Sequence, residues 1–336
     1  MRRALLAALW AAALPVGCRH AAPEGPAPSA REQARALERG GDVAAAGAAY
    51  AQLLCRGPSV ADAPALARDW VQAWDTAGRP EDARAALLTC LQEPTLRAYV
   101  EALSAGAMAN WQRAGAILAE AADTAPEPWR PELELRAGMV ALHTGEAEKA
   151  FQHFDTARRL APERIDIHLV AAQAHLGTRD YGRAIEALRP VLKLRPTATE
   201  LERARRIFHG AVEEARPPLT AADNAALKDL LSILQQEQIS QDDLQLALRI
   251  AERQPQPRLL TVAGLVALKG GARFAGTRLL EDAERAAPLD PDPPRLLGVA
   301  SVAQATPDEA LEPLLEAARR NPFDVEVAQL LGQVAA

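Results

Sequence analysis

Between Pro131 and Pro162, apolar and small residues recur at three- and four-residue steps in two stretches split by His143-Thr144-Gly145-Glu146. The first stretch carries Ala137, Gly138 and Ala141, the second Ala150, Phe154 and Ala157. On a helix those steps fall on one face, so the pattern predicts two amphipathic helices. Gly145 supplies the turn between them, and Pro162 ends the second because it cannot extend the hydrogen-bond ladder. The arrangement returns 34 residues on as Ala184, Leu188, Val191 and Pro196. It returns again as Gly276, Leu280, Ala283 and Pro288, and then as Ala310, Leu314, Ala317 and Pro322. One helix pair cannot bury its own apolar faces, so a fixed period of this size requires neighbours to stack.

The earlier part of the chain repeats the pattern less regularly. Ala46, Tyr50 and Leu53 lead to Pro58; Ala83, Leu87 and Cys90 lead to Pro94; Ala114, Leu118 and Ala121 lead to Pro126. The marker alanines are 37, 31 and 36 residues apart. After Pro196 the phase breaks, because Ala184 and Gly276 are 92 residues apart. Three helical segments are predicted in that gap, 199–215, 221–236 and 241–254. The first is highly charged and ends at Pro217-Pro218, as a solvating helix capping the repeats before it would. The chain therefore reads as two blocks, 31–216 and 221–336, with a hinge or kink near 215–222 and a lone terminal helix after Asp324.

A 34-residue period with small, large, small and Pro positions resembles the tetratricopeptide repeat. The resemblance implies an all-α, right-handed superhelical solenoid whose first helices line a concave groove for a protein partner. The groove positions it implies are Leu135, Met139 and Leu142 in the clearest repeat, Leu96, Tyr99 and Leu103 one repeat earlier, and Leu169, Gln173 and Leu176 one repeat later. The bland reading of the same residues is burial between stacked helices. Some members hold a peptide C-terminus with a Lys/Asn/Arg clamp, but here the matching places carry Leu135, Met139, Leu169 and Gln173. Arg31, Arg35 and Arg68 fall on the same side, either as an acidic contact or simply as solvated arginines.

Composition narrows the function. Hydrophobic residues make up 49% and aromatics 4%, which suits close-packed helices joined by small residues. A net charge of −6 without a basic stripe argues against nucleic-acid binding. No phosphate-binding glycine loop, zinc-protease helix, C-x-x-C pair or nucleophile elbow is present, so a non-catalytic protein without cofactor, metal or small-molecule substrate is expected. His168 and His175 share a helix face but lack further ligands at metal-binding spacing. Cys55 and Cys90 read more readily as two small buried hydrophobes than as a disulfide.

The N-terminus has Arg2-Arg3, a short apolar run from Ala4 to Leu14, and Leu14-Pro15-Val16-Gly17-Cys18. A small residue before Cys resembles the bacterial lipobox, although Pro15 stands where the family prefers Leu. The resemblance implies a signal peptide over 1–17, lipidation at Cys18 and a flexible tether over 18–30. Arg19 in place of Asp points to an outer-membrane lipoprotein facing the periplasm; an ordinary signal peptide would leave a soluble periplasmic protein. The functional expectation is a lipid-anchored scaffold supporting an outer-membrane complex of the pilus, secretin or motility class. The alternative is a repeat lipoprotein that recruits or regulates an envelope enzyme of cell-wall or polysaccharide biogenesis.

Overall fold

The computed structural model describes residues 29–335 apart from Pro80 and Ala305, and the side chain of Pro307 is also left aside. The signal peptide, Cys18 and most of the tether lie outside the described residues. The described residues are all-α, with no strand among them. The contacts divide the chain into two compact units, Met1–Leu103 and Ser104–Ala336.

The first unit holds α1 (Ala30–Arg39), α2 (Val43–Cys55), α3 (Ala63–Thr76), α4 (Glu81–Cys90) and the start of α5 (Pro94–Ala107). The second holds α6 (Trp111–Thr124), α7 (Arg130–His143), α8 (Ala147–Leu160), α9 (Ile165–Gly177) and α10 (Tyr181–Lys193). It continues with α11 (Ala198–Ala215), α12 (Ala221–Leu234), α13 (Gln241–Arg253), α14 (Pro257–Lys269) and α15 (Arg273–Ala286), and ends with α16 (Asp292–Ala303), α17 (Pro307–Arg320) and α18 (Val325–Val334). The three segments predicted across the phase break are α11, α12 and α13, and the region 215–222 lies inside the second unit.

The hairpin turn is one motif used repeatedly. After α7 the amide of Glu146 donates to the carbonyl of Ala141 at 2.8 Å, and Gly145 takes the left-handed conformation at φ 82°. The same backward bond joins Asp42 to Leu37, Asn110 to Ala105, Asp180 to His175 and Ala272 to Ala267. It satisfies a carbonyl that the helix end would otherwise leave without a partner. Where the next residue is Asp42, Asn110 or Asp180, its side chain also accepts from an amide in the first turn of the following helix. One turn sequence thus stops the first helix and starts the second.

Within a hairpin, helices meet through a small residue and a large one 16 positions later. A Cβ on Gly138 would lie 2.5 Å from Phe154 Cε1, and one on Gly298 would lie 2.5 Å from Leu314 Cγ. At Gly264 the Cβ would meet Leu280 Cγ at 3.0 Å. Ala172 with Leu188, and Ala34 with Tyr50, occupy the same two places and are wholly buried. Gly332 falls in this register in α18, the last described helix, and there a Cβ would meet nothing within 4 Å.

The extra helix α11 packs its Ala204, Ile207, Phe208, Ala211 and Val212 into the core shared by α7–α10, while Glu202, Arg206, His209, Glu213 and Glu214 face solvent. Beyond Pro217-Pro218 the chain returns to it. Phe323, before α18, sits 5.6 Å from Phe208 ring to ring, and Arg216 holds Asp290 at 2.8 Å.

The Gly138 contact gives a direct test. Gly138→Ala should lower the urea midpoint, since overpacking costs about 1–3 kcal/mol and exceeds the gain of under about 1 kcal/mol in helix propensity. Gly182→Ala on α10, with nothing within 4 Å of the new Cβ, should leave it unchanged or raise it. Equal shifts for the two variants would contradict the packing argument.

Candidate partner-binding surfaces

The nine residues implied as a groove are divided between the two units. Leu96, Tyr99 and Leu103 belong to the first unit and the other six to the second. Leu96, Tyr99, Leu135 and Leu169 are buried, at 3%, 0%, 2% and 1% exposure. This corrects the expectation for those four, which offer a partner no surface. The reason is geometric: a first helix is flanked by its own second helix and by neighbouring repeats, so its apolar stripe is wider than that of a surface helix. Leu103, Met139, Leu142 and Leu176 are half-buried, and Gln173 is exposed. Met139, Leu142 and Leu176 lean on the shared core around Leu135 and Leu169.

The arginines expected on that side are engaged within the chain. Arg31 and Arg35 of α1 both reach Asp69 of α3, at 2.8 and 3.3 Å, and Arg68 lies 3.4 Å from the Tyr99 hydroxyl. Arg35 and Asp69 are one 34-residue period apart, so this pair ties equivalent positions of consecutive first helices.

A set of buried charges was not anticipated. Glu132, 2% exposed, accepts from Arg136 Nε at 3.1 Å and from Arg164 Nη2 at 2.7 Å, and Arg164 also pairs with Asp166. The two carboxylates raise the Arg164 pKa against the opposing effect of burial. Later, Arg216 pairs with Asp290 and Asp292, and Arg295 pairs with Asp324 at 3.2 Å and with Glu326. The acids Glu132 and Asp166, Asp290 and Asp324, Asp292 and Glu326 are each 34 residues apart. That recurrence was visible in the sequence. These groups clamp one repeat to another.

His143, His168 and His175 pack against neighbouring groups. His168 Nε2 lies 2.9 Å from the Pro162 carbonyl oxygen, His175 stacks on Phe151 at 4.1 Å, and His143 stacks on Trp111 at 3.9 Å. Burial holds the His175 pKa below its ordinary value. No group of three metal-binding side chains is assembled among the described residues, and no helix among them is long and apolar enough to cross a membrane.

Two clefts open between successive second helices. One, of about 530 Å³, lies between α2, α3 and α4; the other, of about 450 Å³, lies between α6, α7 and α8. Both use the same stripe of small residues, Gly47, Ala48 and Ala51 on α2 and, two periods later, Gly115, Ala116 and Ala119 on α6. Beside the first cleft Cys55 and Cys90 form a disulfide with Cα atoms 5.5 Å apart. This corrects the reading of both as buried hydrophobes: Cys55 is exposed and Cys90 half-buried. They end α2 and α4, adjacent second helices, and the bond joins those ends. In the second unit Phe274, at 85% exposure, is the most exposed large apolar side chain among the described residues and carried no sequence signal.

No family model matches the sequence, and no curated protein matches it. Solved repeat structures do. The chain is 13% identical to the Cut9–Hcn1 hetero-tetramer of the APC/C over 91% of its length, with a TM-score of 0.35, and spans 58% of that chain. It is 14% identical to the TPR2AB domain of yeast Sti1 in complex with an Hsp90 peptide, covering 72% of this chain and 98% of that one, with a TM-score of 0.35. It is 13% identical to Pseudomonas aeruginosa PilF, covering 90% and 96%, with a TM-score of 0.33. The fold assignment rests on the chain's own hairpins and not on these distant likenesses.

Breaking the Glu132 cluster should be costly. Arg164→Met leaves a buried carboxylate with one partner fewer and should destabilise the protein by about 3 kcal/mol. Arg158→Ala, which breaks the more exposed pair with Asp155, should cost under about 1 kcal/mol. Urea denaturation distinguishes them, and comparable losses would remove the clamp from the account.

Proposed function

We propose that the protein is a non-catalytic binding scaffold of the bacterial envelope, held by a lipid at Cys18 in the outer membrane facing the periplasm. It binds a protein partner and supports an outer-membrane complex of the pilus, secretin or motility class. The observation that carries the envelope assignment is the Cys55–Cys90 bond, since disulfides persist in exported proteins and are rare in the cytosol. It agrees with the basic, apolar and Gly17-Cys18 sequence of the N-terminus. The scaffold reading is supported by the hairpins themselves: their buried charges are paired between repeats, and their first helices keep Gln173 exposed and Met139, Leu142 and Leu176 half-buried. Such a surface fits an amphipathic segment of a partner, with apolar contact beside a polar rim.

Two measurements test this. Cys18→Ala should move the protein from the outer-membrane to the soluble periplasmic or inner-membrane fraction; retention in the outer membrane would exclude the anchor. A pull-down from solubilised envelope should lose its partner with Met139→Glu and Gln173→Arg, positions where a charge has access to water. Undiminished capture by a variant with an unchanged melting curve would exclude this face. Leu135 is unsuitable for that test, because a charge at a 2% exposed site would unfold the hairpin.

A further inference from the structure

The two clefts between second helices share a backbone design but differ at the mouth. Around the second, His153 lies 2.7 Å from the Glu134 carboxylate and Lys149 3.2 Å from Glu146, so its polar rim groups have partners. Around the first, Arg56 is the one charged residue among those lining it, and its guanidinium has no ion-pair partner among the described residues. The walls are Ala44, Ala48 and Ala51 of α2 and Ala83 and Ala86 of α4, and the floor is Trp70 and Trp74, stacked at 5.8 Å. Ala44, Ala48, Ala83 and Ala86 are exposed, so the slot stands open with apolar sides. Cys55, beside Arg56, bonds to Cys90 and fixes the distance between the two walls at that end.

We propose that this cleft is a binding site for a long-chain monocarboxylate, with the alkyl chain in the alanine-walled slot and the carboxylate on Arg56. The volume of about 530 Å³ is that of a small-ligand site, roughly 300–1,000 Å³. The facing walls carry only the single methyl groups of alanine and are tied together at one end by the disulfide, a slot that suits a single extended chain. The lining is apolar except for Gln52 and Arg56, which demands an apolar body, and the unmatched cation at one end selects an anionic head. Most of the affinity comes from the tail, because its methylenes, each worth about as much as one exposed ion pair, add up along the chain. The inference concerns unit 1 alone and stands or falls independently of the envelope assignment.

The test is a titration of the full chain, oxidised and in detergent-free buffer, with dansylundecanoic acid, read as energy transfer from the cleft tryptophans. Saturable one-to-one binding is expected, displaced by dodecanoate, with affinity falling about tenfold for each two methylenes removed from the competitor. Ala48→Leu and Ala86→Leu together should weaken binding more than tenfold by filling the slot. If that pair fails to fold, Ala44→Leu at the exposed rim decides the matter in the same way. Arg56→Gln should weaken dodecanoate about threefold and leave dodecanol unchanged. Absence of saturable binding, indifference to the leucine substitutions, or an equal effect of Arg56→Gln on acid and alcohol would each overturn the proposal. So would displacement by an amphipathic peptide but not by dodecanoate.

Discussion

The structure depends on how closely two helices of a hairpin can approach. Gly138 under Phe154 and Gly298 under Leu314 leave no room for even one more carbon, and Gly264 under Leu280 leaves very little. That closeness lets one large side chain fill the space at each such crossing, which helps a chain with 4% aromatic residues to build a close-packed core. It also explains the period. If the large residue must sit 16 positions after the small one, the lengths of both helices and the turn are fixed together. The repeating turn, with its backward hydrogen bond and Asp or Asn cap, supplies that length.

Stacking hairpins creates a second problem, because dispersion between small residues is weakly directional and does not fix how one repeat sits on the next. The charged clamps answer it. Glu132 with Arg164 and Asp166, Arg216 with Asp290, Arg295 with Asp324, and Arg31 and Arg35 with Asp69 all join residues of successive or facing repeats. An ion pair with fixed geometry specifies an angle better than it adds stability, since desolvation offsets much of its attraction. The clamps recur with the period because the angle must recur.

The fold was legible because its signal is redundant. Periodicity, turn residues and terminal prolines located every hairpin from 131 to 196 and from 257 onwards, and the limits of α11, α12 and α13 fell within two residues of those read from the sequence. The functional face was not legible, and the reason is physical. Leu135 and Leu169 are apolar residues on a first helix, and so are Met139 and Leu176. Which of them meets water depends on the rotation of each helix within the stack, and a pattern common to both faces does not record that. The disulfide was missed for a similar reason. Cys55 and Cys90 stand near the place of Ala157, which is fully buried, but α2 and α4 keep Cys55 exposed and Cys90 half-buried, and there the thiols can meet.

The small residues therefore do two kinds of work that a sequence pattern cannot separate. On first helices they admit a large side chain and vanish into the core. On α2 and α6, Gly47 and Gly115 instead let a second helix settle against the following first helix, near Ala73 and Val140, and their alanine neighbours are left walling a cleft. At the second cleft Glu146, Lys149 and His153 face the small residues of α6, whereas at the first the facing walls are alanine, too short to cross the gap. Larger side chains would close it at little cost to the hairpins, since Ala44, Ala48, Ala83 and Ala86 are exposed. Packing within the repeat thus leaves the openings unconstrained, and what distinguishes them is their rim: polar groups paired around one, and a single unmatched arginine beside a covalent bond at the other.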